Sequence, residues 1–125
     1  MPELPEVETI ARNLKPDLVG KTILSADLFW ARTLALPSSQ KFKQQIKGQK
    51  ILNVGRRSKF LIIQLSDFNL LIHLRMSGDL SIRDSTIRAA PHDRLILKLS
   101  DSKSLVFNDT RKFGRVWLTA KPEEV

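Results

Sequence analysis

From residue 22 onward this 125-residue chain shifts to short apolar runs, with polar residues alternating in several of them, broken by turn-forming residues. A period of two marks a strand with one buried face, and many such runs in succession build sheets rather than a helical bundle. The runs lie at 22–29, 50–57, 59–66, 69–76, 79–83, 93–100, 103–108 and 114–119, and are rich in Ile, Leu and Val. Ser66-Asp67-Phe68-Asn69, Asp101-Ser102 and Ser77-Gly78 read as tight connections between them. Short antiparallel strands of this kind form a sandwich or a barrel; the expected architecture is a two-sheet antiparallel β-sandwich of about eight strands. The segment 83–93 has a weak pattern and reads as a loop.

Two helices are expected to flank the sheets. Over 5–18 the apolar residues Val7, Ile10, Ala11, Leu14 and Leu18 fall three or four apart and form one stripe. Pro5 suits a first turn, Glu3, Glu6 and Glu8 complement the positive end of the helix dipole, and Gly20 marks the exit. Pro16 is expected to kink or end this helix. A weaker helix is predicted at 39–47, with Ser38 or Ser39 as its cap.

The chain length fits one domain. There is no cysteine, which excludes disulfides, a thiol nucleophile and cysteine-ligated zinc or iron–sulfur sites within these residues. The two histidines, His73 and His92, have no short ligand spacing, so no metal site is expected. No apolar run is long enough to span a membrane, and the acidic, proline-containing start is unlike a signal peptide, so a cytoplasmic location is expected. Lys and Arg outnumber Asp and Glu by 21 to 13, a net charge of +8 that favours a polyanionic partner over a neutral one. A generically basic soluble protein is the plainer alternative.

Five clusters can carry chemistry, and each also has an ordinary structural reading. Removal of Met1 leaves Pro2 with a free secondary amine. Such α-amino groups titrate near 8, so roughly a tenth is unprotonated and nucleophilic at neutral pH. Glu3 adjoins that amine as a candidate proton donor, and Glu6 follows one turn on. Helix capping and dipole compensation are the ordinary reading of all three, and the favoured one when each is taken alone. Gly55-Arg56-Arg57-Ser58-Lys59-Phe60 puts three cations at a strand-to-strand turn, as a phosphate clamp or a solvated basic turn. In His73-Leu74-Arg75-Met76-Ser77-Gly78, Met76 is either a core residue or an exposed wedge between bases, and His73 a strand residue or a phosphate donor. Phe107-Asn108-Asp109-Thr110-Arg111-Lys112-Phe113-Gly114-Arg115 is a link between strands; in it Arg111 can bond a base edge and Phe113 can stack, unless this is an ordinary loop.

Taken in order, MPELPEVETI, GRRSKFL, HLRMSG and FNDTRKFGR closely resemble the bacterial formamidopyrimidine-DNA glycosylase family over its N-terminal domain, across essentially the whole chain. The resemblance implies a bifunctional repair enzyme that excises oxidised purines such as formamidopyrimidine and 8-oxoguanine and then cuts the abasic strand. It implies Pro2 as the nucleophile that forms a Schiff base with deoxyribose C1′, Glu3 as the acid for the sugar ring oxygen, Glu6 as a supporting carboxylate, and Lys59 beside the lesion nucleotide. Met76, Arg111 and Phe113 resemble the trio that fills the gap left by the flipped base, with Arg111 addressing the widowed cytosine. His73 and His92 resemble phosphate-contacting positions. The partner implied is damaged double-stranded DNA, bound by a monomer, with no membrane. Residues 1–120 are expected to form the N-terminal domain, and 121–125 to begin a linker to a C-terminal domain with a helix–two-turn–helix and a four-cysteine zinc finger. Zinc is expected only there, with no cofactor in this chain, and these residues alone are expected to be weak or inactive. The competing expectation is a non-catalytic DNA-binding module of the same fold; an interaction β-sandwich with incidental charge is a third.

Overall fold

A computed structural model describes residues 4–75, 78–112 and 114–120. Helix α1 (Leu4–Leu18) carries the expected stripe: Val7, Ala11, Leu14 and Leu18 all enter the core. It runs on to Leu18, as the 5–18 pattern predicts, so Pro16 does not end the helix, one of the two effects expected of it. A proline lacks one donor, but burying Leu18 completely outweighs one lost hydrogen bond near the last turn. The Val19 N–H closes that turn on the Lys15 carbonyl at 3.0 Å, and Gly20, at φ +89°, turns the chain so that its N–H reaches the Ile51 carbonyl at 2.8 Å.

Among the described residues nine strands follow: β1 (Ile23–Leu28), β2 (Leu34–Leu36), β3 (Ile51–Arg57), β4 (Phe60–Leu65), β5 (Asn69–His73), β6 (Gly78–Asp84), β7 (Asp93–Leu99), β8 (Lys103–Asp109) and β9 (Arg115–Thr119). They form a four-stranded sheet, β1-β7-β8-β6, and a five-stranded sheet, β2-β9-β5-β4-β3. All named pairs are antiparallel except β2 with β9. The expected two-sheet sandwich is thus present, with β2 added: three residues are too few to show a period, and a parallel edge strand needs no hairpin signal. Helix α2 (Ser39–Ile46) is capped by Ser38, whose hydroxyl accepts the Lys41 N–H at 3.3 Å, and it buries Phe42 and Ile46. One continuous core joins α1, α2 and the facing sides of both sheets, among them Ile23, Leu97, Leu105 and Phe107 from one sheet and Ile63, Leu70, Ile72 and Val116 from the other. The run expected at 69–76 leaves the sheet after His73, because Arg75 takes φ +58° and the chain crosses to the other sheet. Among the described residues no helix is long and apolar enough to cross a membrane.

Candidate nucleic-acid interface

One end of the sandwich gathers the loops that carry charge. Strands β3 and β4 are joined by the two-residue turn Ser58-Lys59, with Arg57 paired to Phe60 and Ser58 at φ +54°. The Arg56 guanidinium donates to the Ser58 carbonyl at 3.0 Å, which stiffens the turn and holds Lys59 at its tip, exposed. Phe60 stands edge-on to His73 at 5.5 Å and to Trp117 at 5.3 Å, so the turn abuts the end of β5. His73 pairs with Arg115 at the start of β9, Gly78 with Asp109, and Asp93 with Asn108. The ends of β5, β8 and β3 and the starts of β4, β6, β7 and β9 therefore converge.

Helix α1 reaches the same end. Its C-terminus is bonded to the start of β3, while Glu8, Arg12 and Lys15 lie along Val54, Gly55 and Arg56. The helix thus runs antiparallel to β3, and its first turn, with Glu6 exposed, lies toward the Lys59 turn. Pro2, Glu3, Met76 and Phe113 lie outside the described residues, as do 121–125. The five predicted site residues that are described fall into one region: Glu6, Lys59 and His73 around the Lys59 turn, and His92 and Arg111 on the adjoining loops.

His73 is half-buried, and its Nδ1 accepts the Arg75 N–H at 3.2 Å, which puts the ring proton on Nε2. Burial, then the charges of Arg75 and Lys59, hold its pKa below the ordinary 6.5. At neutral pH His73 is an uncharged N–H donor, suited to a phosphate oxygen without adding to the positive field. His92 is exposed just before β7, and Arg111 is exposed in the connection 110–114, shorter than the expected link because β8 runs on to Asp109.

Sequence reasoning missed a second cluster beside these. A cleft of about 410 Å³ is lined by Trp30, Arg32, Arg75, Arg111, Lys112 and Arg115. Lys112 Nζ stands 4.2 Å over the Trp30 ring, and Arg115 donates to the Arg32 carbonyl. The short helical turn Ala31–Thr33 between β1 and β2 delivers Trp30 and Arg32. An aromatic beside a cation, Trp30-Ala31-Arg32, was the available signal, since that pairing suits a backbone-tracking, base-stacking surface. Among the described residues no three metal-ligating side chains stand together.

The profile of the formamidopyrimidine-DNA glycosylase N-terminal domain matches residues 1–116. The formamidopyrimidine-DNA glycosylase of Protochlamydia amoebophila is 46% identical over 127 residues, covering 100% of this chain and 46% of its own length. That of Chloroflexus aggregans is 48% identical over 120 residues, covering 94% and 43%. The chain thus spans less than half the length of these relatives. The crystal structure of the Lactococcus lactis enzyme bound non-covalently to DNA containing an AP site superposes with a TM-score of 0.88 at 36% identity, over 94% of this chain and 45% of that one.

Proposed function

Because the chain belongs to the formamidopyrimidine-DNA glycosylase family, we propose that it is the catalytic N-terminal domain of a base-excision repair glycosylase with AP lyase activity on oxidised purines in double-stranded DNA. The observation that carries the reading is the convergence of Lys59, His73, His92 and Arg111 on one cationic end of the sandwich, with the first turn of α1 directed toward it.

A sugar carbon cannot be reached inside a stacked duplex, so the lesion nucleotide is extruded at a cost of a few kcal/mol. Met76, Arg111 and Phe113 offset part of that cost by filling the gap, Arg111 through hydrogen bonds to the widowed base. Lys59, as a point charge, and His73 and His92, as donors, hold the phosphates. The Pro2 nitrogen, freed of Met1, bonds to C1′ as the glycosidic bond breaks and its electron pair leaves with the base; the amine gives up its proton. Opening of the C1′–O4′ bond, with a proton from Glu3 to O4′, leaves an iminium ion. Loss of a C2′ proton then expels the 3′-phosphate and cuts the strand. Glu6 supports the charge balance near the amine. The protein works as a monomer on chromosomal DNA in the bacterial cytoplasm, and residues 1–120 are weak or inactive without a C-terminal domain.

Borohydride trapping on abasic-site DNA tests this with the full-length protein. Processed protein is expected to give a covalent adduct. Pro2→Gly is expected to give far less, and protein that retains Met1 none, because its Pro2 nitrogen is an amide. Processed protein that binds the DNA yet yields no adduct would establish the non-catalytic binding module instead.

A further inference from the structure

Asp109 ends β8 in the middle of the cationic surface, yet only 1% of it is exposed. A carboxylate open to that surface would repel phosphates. This one is turned inward and committed to backbone donors. It accepts the Gly114 N–H at 2.6 Å on one oxygen and the Arg111 N–H at 3.3 Å on the other. It thus bridges Arg111 and Gly114 within the connection 110–114. That connection needs holding, because Lys112 within it sits at φ +63°, a conformation that costs a non-glycine residue on the order of 1 kcal/mol. The Asp109 backbone reaches the other way. Its N–H donates to the His92 carbonyl at 2.9 Å, and its carbonyl accepts Nε of the buried Arg94 at 2.8 Å. The Arg94 guanidinium stands 3.5 Å from His92 Nδ1.

We propose that Asp109 is a positioning residue that sets Arg111 in the pose from which it addresses the base opposite the lesion, and that ties this pose to His92. The proposal rests on the reading of Arg111 given above. The mechanism is geometric. An ionised carboxylate accepts at both oxygens, whereas an amide of the same size has one acceptor and one donor, so one of the two N–H groups is orphaned. The loop then relaxes away from the strained turn, and Arg111 loses its fixed approach to a base edge.

The test uses full-length protein and duplexes carrying tetrahydrofuran opposite cytosine or adenine. Wild type is expected to prefer cytosine. Asp109→Asn is expected to lose about fivefold of that preference while its affinity summed over both duplexes changes by less than about twofold. Arg111→Ala is expected to lose the preference too, and the double variant no more than Arg111→Ala alone, because both act through one side chain. A merely structural role lowers thermal stability and leaves the preference intact, and that result overturns the proposal, as do losses that multiply in the double variant. Wild type that binds without base preference overturns this proposal alone, whereas wild type that binds neither duplex overturns the functional reading and this proposal with it. Should Asp109→Asn fail to fold, Asp109→Glu decides: it keeps two acceptor oxygens but displaces them, and is expected to lose part of the cytosine preference, whereas a folded Asp109→Glu with the full preference overturns the proposal.

Discussion

Gly114 is packed so closely on the Phe107 ring that no side chain fits between them. A Cβ there would press into Phe107 Cζ and stand 2.9 Å from the Asp109 carboxylate and 3.2 Å from the His73 carbonyl. Gly78 meets the same ring, where a Cβ would stand 2.9 Å from Phe107 Cε1. Phe107 is fully buried, so it cannot swing aside. Gly114→Ala is expected to destabilise the fold by about 1–3 kcal/mol through overpacking. Gly55→Ala, where a Cβ has nothing within 4 Å, is expected to change stability by less than about 0.5 kcal/mol. Urea denaturation of the two variants checks the contrast, and equal effects would contradict it.

Asp93 anchors the loop that carries His92. Its side chain is wholly buried and takes two bonds from Arg83, at 2.6 and 3.0 Å, one from Asn108 at 2.9 Å and one from the Ala90 N–H at 2.7 Å. Burial alone raises its pKa, but these donors together outweigh it and hold the group below the ordinary 3.8. A folded value below the unfolded one adds stability that is complete above about pH 4 and is lost as pH falls through the folded value. Asp93→Asn is expected to cost about 1–3 kcal/mol at pH 7 and to flatten the acid limb of the stability curve. Denaturation midpoints between pH 2 and 7 read both effects, and an unchanged acid limb would show that Asp93 does not carry it.

The sandwich was legible because the strands are short runs rich in Ile, Leu and Val, some buried on one face with a period of two and others, β5, β7 and β8, buried nearly throughout. Leu61, Ile63 and Leu65 sit inward on β4, while Ile62 and Gln64 alternate out. The stripe on α1 was legible for the same reason at a different period. The stripe was a better guide to the end of the helix than Pro16, because local propensity says nothing of the burial of Leu18 two residues on. Strand β2 was invisible at three residues. In the candidate site, Lys59, His73, His92 and Arg111 stood out because their motifs are contiguous words in the sequence. Trp30 and Arg32 did not, since they reach Lys112 and Arg115 only across the parallel β2–β9 pairing, between positions about eighty residues apart in the chain. Asp109 had no signal of its own within the 107–115 link; its tie to His92 exists only once β7 and β8 lie side by side.

The cationic end predicts a specific salt dependence. Removing one cation that neutralises a phosphate lowers the slope of log K against log salt by about 0.9 for duplex DNA. Lys59→Ala and Arg32→Ala are each expected to reduce the slope by up to about one unit. Lys47→Ala, just after α2 and far from the Lys59 turn, is expected to leave it unchanged. Titrations of an abasic duplex between about 50 and 200 mM salt measure this. Equal effects at Lys47 and Lys59 would mean that DNA meets the whole basic surface rather than this end.

His73 offers a pH-dependent reading of the same surface. Burial acts first, and Arg75 and Lys59 then add like charge, so the imidazole resists protonation. Among the described residues, the Phe60 ring, Lys59, the Arg75 N–H and Arg115 across the β5–β9 pairing stand against it, and none of these is a carboxylate that could favour the imidazolium. With the folded value below the unfolded 6.5, its contribution to stability is complete above about pH 6.5 and is lost as pH falls through the folded value. Lys59→Met removes one of the opposing charges and is expected to move the His73 midpoint up toward 6.5 in an NMR titration of the ring protons, while raising salt to about 0.5 M moves it the same way in the wild type. A midpoint at or above 6.5 in the wild type would contradict the lowered value, and only a midpoint above neutral pH would make the ring a cation rather than a neutral donor there.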